Sequence, residues 1–232
     1  MSLSKALTAA AGNAGGLPEG WQFECYFRIN TDQNSLDMGI IVDQYVNGES
    51  GRLLFGWQNS SIVMRVNGGT VYLSKTGLST TTWYHVLLNY DGTTHRLFVN
   101  GNLADSATNV PSLYTGVSTS FGGQPSSTLV KYDLDGYLQG IHVEHSPTNL
   151  KTSSFTPPTV ITETDDTVLL IEAAGSSITD TGPNSYTLNF NSSSVTVESS
   201  VVPSGYSRSI KFDGTDTGYI KVIGIAFLDD TL

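Results

Sequence analysis

Residues 83–143 constrain this chain more than any other stretch. Trp83 to Tyr90 is a run of β-forming residues, Asp91-Gly92-Thr93-Thr94 reverses it, and Arg96 to Val99 is a second run closed by Asn100-Gly101. Asx-Gly pairs supply the positive φ angles that tight hairpins need, so two of them in close succession predict a meander of short antiparallel strands. Phe121-Gly122-Gly123 and the run from Leu134 to Val143 extend the pattern by a loop and a further strand.

The segments before this block read the same way. Trp21 to Asn30 alternates, with Trp21, Phe23, Cys25, Phe27 and Ile29 on one face and Gln22, Glu24, Tyr26, Arg28 and Asn30 on the other, as in a strand with one face in a core. Gly39 to Tyr45, Arg52 to Trp57, Ile62 to Val66 and Thr70 to Leu73 follow, separated by polar turn segments, and no stretch has helical periodicity. Evenly spaced short strands predict an all-β antiparallel sandwich. Trp57 shares its parity with Leu53 and Phe55 and is expected in the core, while Gly56 marks a bend or bulge. Glu24 faces away from the core set, which predicts a solvated or cross-strand role.

The order W-x-H, strand, D-G, strand, N-G, then D-G-Y and a strand resembles the laminin G-like, concanavalin A-like lectin/glucanase sandwich or jelly roll. The resemblance implies that Trp83 packs in the core and that Asp91-Gly92 and Asn100-Gly101 are architectural. The strand FECYF, with Glu24 as its acidic residue, is similar to one frequent in lectin-like repeats of phage fibres. Val168-Leu169-Leu170, Thr179-Asp180-Thr181-Gly182, Thr187-Leu188, Ser209 to Thr215 and Tyr219-Ile220 resemble the opening of the lectin-like unit of marine phage structural proteins. In that unit these pieces precede the FECYF strand; here they follow it. A sandwich without its opening strands leaves edges and core faces uncovered. Residues 166–232 are therefore expected either to fold back onto a core of 17–146, giving a circularly permuted sandwich, or to complete a neighbouring subunit. Residues 147–165, with Pro147 and Pro157-Pro158, read as a linker or a long extended connection.

Composition narrows the function. A net charge of −10 with 11 Lys and Arg disfavours nucleic acid as a partner. Cys25 is the only cysteine, so no intrachain disulfide forms and a buried thiol is expected. No apolar run suits a signal segment or a membrane span, which predicts cytoplasmic synthesis and no membrane partner. The sequons at Asn59 and Asn191 carry little weight without a secretory route. Retaining glucanases need two carboxylates about 5 to 5.5 Å apart, and the E-x-D-x-x-E or E-x-D-x-E strings that supply them in related sandwiches are missing. No nucleophile elbow or P-loop is present either. The expectation is a non-enzyme with no catalytic residue and no cofactor.

Asp133 and Asp135 lack the company of an Asp-rich loop that a calcium site of about six to eight oxygens requires, so no metal is expected. The His142-Val143-Glu144-His145 run contains the H-x-E element of zinc deaminases but has no P-C-x-x-C partner. It reads as a surface cluster at a strand end, with His142 and Glu144 on one face. His85 is expected to be a satisfied, partly buried imidazole. Tyr45 and Tyr72 are candidate stacking residues, and no glycan-binding residue is assigned.

Residues 1–16, rich in Ala and Gly, lose about 1–2 kcal/mol of backbone entropy per ordered residue and bury little in return, which marks them as an assembly arm. The expected protein is a non-enzymatic bacteriophage virion component, decorating a capsid or forming part of a tail or fibre. It is expected in the virion, as a homo-oligomer or part of a large assembly, held to other virion proteins by the arm. The alternative is a carbohydrate-binding module or adhesin for host surface glycans.

Overall fold

The alternation in WQFECYFRI builds the strand around which both layers form. In the computed structural model, which describes residues 20–32, 38–44, 51–66, 69–111, 113, 119–124, 133–190, 193–214 and 218–222, it is β1 (Trp21–Ile29). Trp21, Phe23, Cys25, Phe27 and Ile29 all lie in the core, so the residues between them face outward. The chain continues through β2 (Gly39–Gln44), β3 (Leu53–Trp57), β4 (Ser61–Val66), β5 (Thr70–Thr76), β6 (Tyr84–Tyr90), β7 (His95–Val99), β8 (Asn102–Ala107), β9 (Thr119–Phe121) and β10 (Asp135–His145). It ends in β11 (Thr167–Ala174), β12 (Ser177–Asp180), β13 (Leu188–Phe190), β14 (Val195–Glu198), β15 (Ser209–Asp213) and β16 (Ile220–Val222). No helix occurs among the described residues.

Two antiparallel sheets enclose one core. The first runs β12-β11-β10-β1-β6-β7-β8, with β15 also paired to β10 and β14 paired to β15; the second runs β13-β16-β9-β2-β3-β4-β5. Aromatic rings bridge them: Phe23 meets Phe55 at 6.0 Å and Phe121 at 6.4 Å between centroids, and Phe27 meets Trp57 at 6.3 Å. Trp57 is buried as its parity predicts, and its Nε1–H donates to Asp32 Oδ1 at 2.7 Å. Gly56 lies opposite a register shift in β2 between Ile40 and Val42, the irregularity expected from a glycine in that strand. β11, β12, β14 and β15 join the sheet of β1, and β16 joins β9, all within one chain.

The turns follow from their side chains. Asp91 Oδ1 accepts the backbone N–H groups of Thr93 and Thr94 at 2.9 and 2.7 Å, and Arg96 Nη1 reaches Oδ2 at 2.6 Å. Burial pushes the Asp91 carboxyl up, but these bonds hold it below the usual carboxylate range. Asn100 and Gly101 both have positive φ, 50° and 74°, the primed turn that matches strand twist. Gly122 has φ 83°, and a Cβ there would stand 2.0 Å from the Phe212 ring, so the Phe-Gly-Gly loop admits β15 only because it lacks a side chain.

Residues 146–166 form a strap across the outer face of the first sheet. Ser146 N–H donates to Gly20 O at 2.7 Å, Asn89 Nδ2 to Lys151 O at 2.7 Å, and Phe155 N–H to Gly101 O at 2.8 Å. The Phe155 ring lies on Phe98 at 5.5 Å and on His85 at 5.9 Å. Gly101 is where the strap docks, because a Cβ there would come within 2.0 Å of Phe155 O. Leu87 and Phe98, which point away from the core, are fully buried beneath this cover.

Candidate functional site

The outer face of the first sheet divides into a sealed part and an open part. Glu24 occupies the centre of the sealed part. It stands opposite His142 of β10 and Leu87 of β6, with His85 diagonal to it. His85 Nε2 is 2.8 Å from Glu24 Oε2, and His142 Nδ1 is 3.0 Å from Oε1. An ionised carboxylate only accepts, so both imidazoles donate to it. His142 Nε2 then accepts from Thr167 Oγ1 at 2.8 Å, and that hydroxyl oxygen accepts the Thr164 N–H at 2.7 Å. Thr164 Oγ1 donates to Glu144 Oε1 at 2.5 Å, and Gln22 Nε2 donates to Glu144 Oε2 at 2.8 Å. Burial raises the Glu24 pKa, but the bonds from His142 and His85 outweigh it and leave the carboxyl at about 2.

This cluster corrects three expectations. Glu24 is cross-strand but buried, at 8% exposure, because the strap and the C-terminal strands cover the face it points to. His142 and Glu144 do share a face, yet they are buried as well rather than forming a surface cluster; His145 alone is partly exposed. His85 is fully buried, with the Tyr26 ring against it at 5.2 Å. The arrangement holds the strap and offers no open surface for a substrate.

The open part lies toward the β1 C-terminus. The register sets Tyr84 opposite Phe27, so Trp83 falls beside Arg28; Arg28 is opposite Tyr137, Tyr137 opposite Lys211, and Lys211 opposite Thr196. One transverse row therefore reads Trp83, Arg28, Tyr137, Lys211, Thr196. The Trp83 and Tyr137 rings approach to 6.2 Å, and the Arg28 guanidinium carbon lies 5.4 Å from the Tyr137 centroid. Arg28 is fixed by Nε donating to Thr81 O and Nη1 donating to Asn30 Oδ1, each at 3.0 Å. Asn30 Nδ2 donates to Asp135 Oδ1 at 2.9 Å, and Thr31 Oγ1 donates to Asp135 Oδ2. Thr81 has φ 59°, a strained setting for a β-branched residue of the kind that marks functional loops. Its N–H donates to Ile29 O at 2.6 Å, which fastens the loop carrying Trp83 to the end of β1.

Trp83 is thus a correction: it is partly exposed on the outer face and stands outside the core cluster, which takes Tyr84, Val86 and Leu88 from the same strand. Tyr72, a candidate stacking residue, is only partly buried but packs against the core; Tyr45 and Asn191 lie outside the described residues. Asp133 is buried beside Gly123 while Asp135 is bonded to Asn30 and Thr31, so the two carboxylates have different neighbours. Among the described residues no group of three or more His, Cys, Asp or Glu is arranged to hold a metal ion. On the outer face of the second sheet Arg52 grips Asp43 through Nε at 3.0 Å and Nη2 at 2.8 Å. Both are buried; burial pushes the Asp43 carboxyl up, against the pull of Arg52.

Two antiparallel sheets closed over one core define a lectin-like β-sandwich. The chain belongs to the concanavalin A-like lectin/glucanases superfamily, whose model matches residues 19–156. A solved structure of a candidate carbohydrate binding protein from Bacteroides ovatus is similar, with a TM-score of 0.50 and 16% identity, covering 72% of this chain and 51% of that one. The chain spans about half the length of that protein, and the likeness shows the fold. A heptameric SAP-like pentraxin from Limulus polyphemus is similar at a TM-score of 0.38 and 14% identity, over 57% of this chain and 72% of that one. No curated protein matches the chain in sequence.

Proposed function

We propose that this domain is a non-catalytic glycan-binding module and that Trp83 is its stacking ring. The row Trp83-Arg28-Tyr137 carries this reading. It sets a partly exposed indole and a fixed guanidinium over the buried Tyr137 ring, with the Asn30 amide beside them, a mixture of apolar plane and polar groups suited to a pyranose. Catalysis has no comparable support, since Glu24 and Glu144 lie under the strap and Asp135 is occupied by Asn30 and Thr31. Glycan microarrays followed by calorimetry test the reading. Trp83→Ala should weaken binding about ten-fold, the equivalent of about 1.4 kcal/mol, with the melting temperature held within about 2 °C, as is usual for changes outside the core. Hydrolysis of any bound polysaccharide, or full affinity in the variant, would count against it.

A phage virion is the setting we propose for this module. This reading rests on the resemblance of the segments from Val168 to Ile220 to phage structural proteins, segments whose strands pair within the two sheets of this chain. The expected arm, residues 1–16, lies outside the described residues. Mass spectrometry of purified particles of the encoding virus should find the chain, at high copy for a shell or tube and low copy for a fibre. Its absence from intact particles would refute this setting while leaving glycan binding untouched.

A further inference from the structure

We infer that the glycan recognised at Trp83 carries an acidic group, a carboxylate or a sulfate, and that Arg28 is the residue that selects it. This rests on the glycan-binding reading above. Arg28 is held from three sides, by Thr81 O, by Asn30 Oδ1 and by the Tyr137 ring. Its Nε and Nη1 are engaged and its Nη2 makes no hydrogen bond with any described residue, so the two N–H donors of Nη2 are left for a ligand. Holding the guanidinium in place in advance reduces the ordering cost of binding an anionic oxygen.

The surrounding charges fit a single acidic group better than a polyanion. Lys211 follows Tyr137 along the row. Among the described residues around this row, the acidic ones are Asp135, whose carboxylate already accepts from Asn30 and Thr31, and Asp213 and Glu198, which lie on the β15–β14 side of Tyr137. With strands about 4.8 Å apart, Asp213 is three strands from Trp83 and Arg28 only one. A sugar stacked on the indole therefore meets Arg28 before it meets the Asp135 or Asp213 carboxylate. The net charge of −10 on the whole chain repels extended polyanions at long range, which favours a short acidic epitope over a long charged polymer.

The strain at Thr81 belongs to the same device. The carbonyl that receives Arg28 Nε is that of Thr81, two residues before Trp83. The loop that presents the stacking ring therefore also orients the cation. Neither can shift without the other.

The test compares each acidic oligosaccharide with its own neutral form: uronate oligomers against the carboxyl-reduced backbone, and sulfated oligomers against the desulfated backbone. Wild-type protein should bind at least one acidic member about ten-fold more tightly than its neutral partner. Preference for carboxylate or for sulfate identifies the group, and either supports the inference. Arg28→Gln should erase that preference, whereas Trp83→Ala should weaken both members together. Because Arg28→Gln also releases the Thr81 carbonyl, Arg28→Lys serves as a second variant, retaining charge but losing the positioned Nη2 donors and most of the preference. Equal binding of both members by wild-type protein would overturn the acidic-group inference and leave glycan binding standing. Failure of every pair, together with every neutral glycan on the array, would overturn both.

Discussion

A chain ending at residue 160 is expected to lose cooperative folding altogether. The superfamily match stops at residue 156, which on its own would suggest that the preceding part stands alone. The sheets say otherwise. β10 pairs on one side with β1 and on the other with β11 and β15, and β9 lies between β2 and β16. Truncation removes Leu169, Ile171, Ile210, Phe212, Ile220 and Val222 from the core. Each such side chain contributes about 1.5–3 kcal/mol when buried, which together rivals or exceeds the whole stability of about 5–15 kcal/mol of a typical domain. Leu138, Ile141, Val143 and Phe121 would be uncovered at the same time. The expected product is insoluble or lacks a cooperative melting transition, by calorimetry and by near-ultraviolet circular dichroism. A soluble monomer that melts at the temperature of the full chain would show that β11–β16 are an appendage.

How far the sequence reached depended on whether a signal was local. β1 was legible residue by residue, because alternation is a property of one strand. The Asn100-Gly101 turn was legible for the same reason, since positive φ at both positions selects those residues. Trp57 followed from parity as well. Trp83 did not, because the family resemblance placed it in the core and overrode its own strand, where Tyr84, Val86 and Leu88 form the inward set. That alternation was present in the sequence and points Trp83 outward.

The strap was the larger omission. Pro147 and Pro157-Pro158 announce an extended segment, but nothing local says that it lies along the sheet. Its partners, Gln22, Asn89 and Gly101, are scattered over the preceding chain. Without the strap, Glu24, His142 and Glu144 look like exposed polar residues. With it, they become a buried network and the open surface contracts to the end that carries Trp83 and Arg28. The candidate site was thus hidden by topology, although each of its residues was visible in the sequence.

Replacing Glu24 should produce the largest effect of any single substitution on the outer face. Glu24→Ala leaves His85 Nε2 and His142 Nδ1 buried without their acceptor. Each buried donor left without its acceptor typically costs about 1–3 kcal/mol, which for the two together is about 10 °C of melting temperature in a domain of this size. Glu24→Gln keeps the shape and can still accept from one imidazole, so its loss should be smaller. The two proteins also separate by pH. The folded pKa of Glu24 is depressed from 4.5 to about 2, so its stabilisation is complete above about pH 4.5 and is lost as pH falls toward 2. At about 1.4 kcal/mol per pH unit the span amounts to about 3 kcal/mol. Asp91 is depressed as well and Asp43 is raised, so the informative quantity is the difference between wild type and Glu24→Gln, in which those contributions cancel. Urea titrations from pH 6 to 2 should show that difference shrinking through the acid range. A difference that stays constant with pH would mean that Glu24 is not held as an anion by its two histidines, and the hydrogen-bond directions assigned around it would have to be reversed.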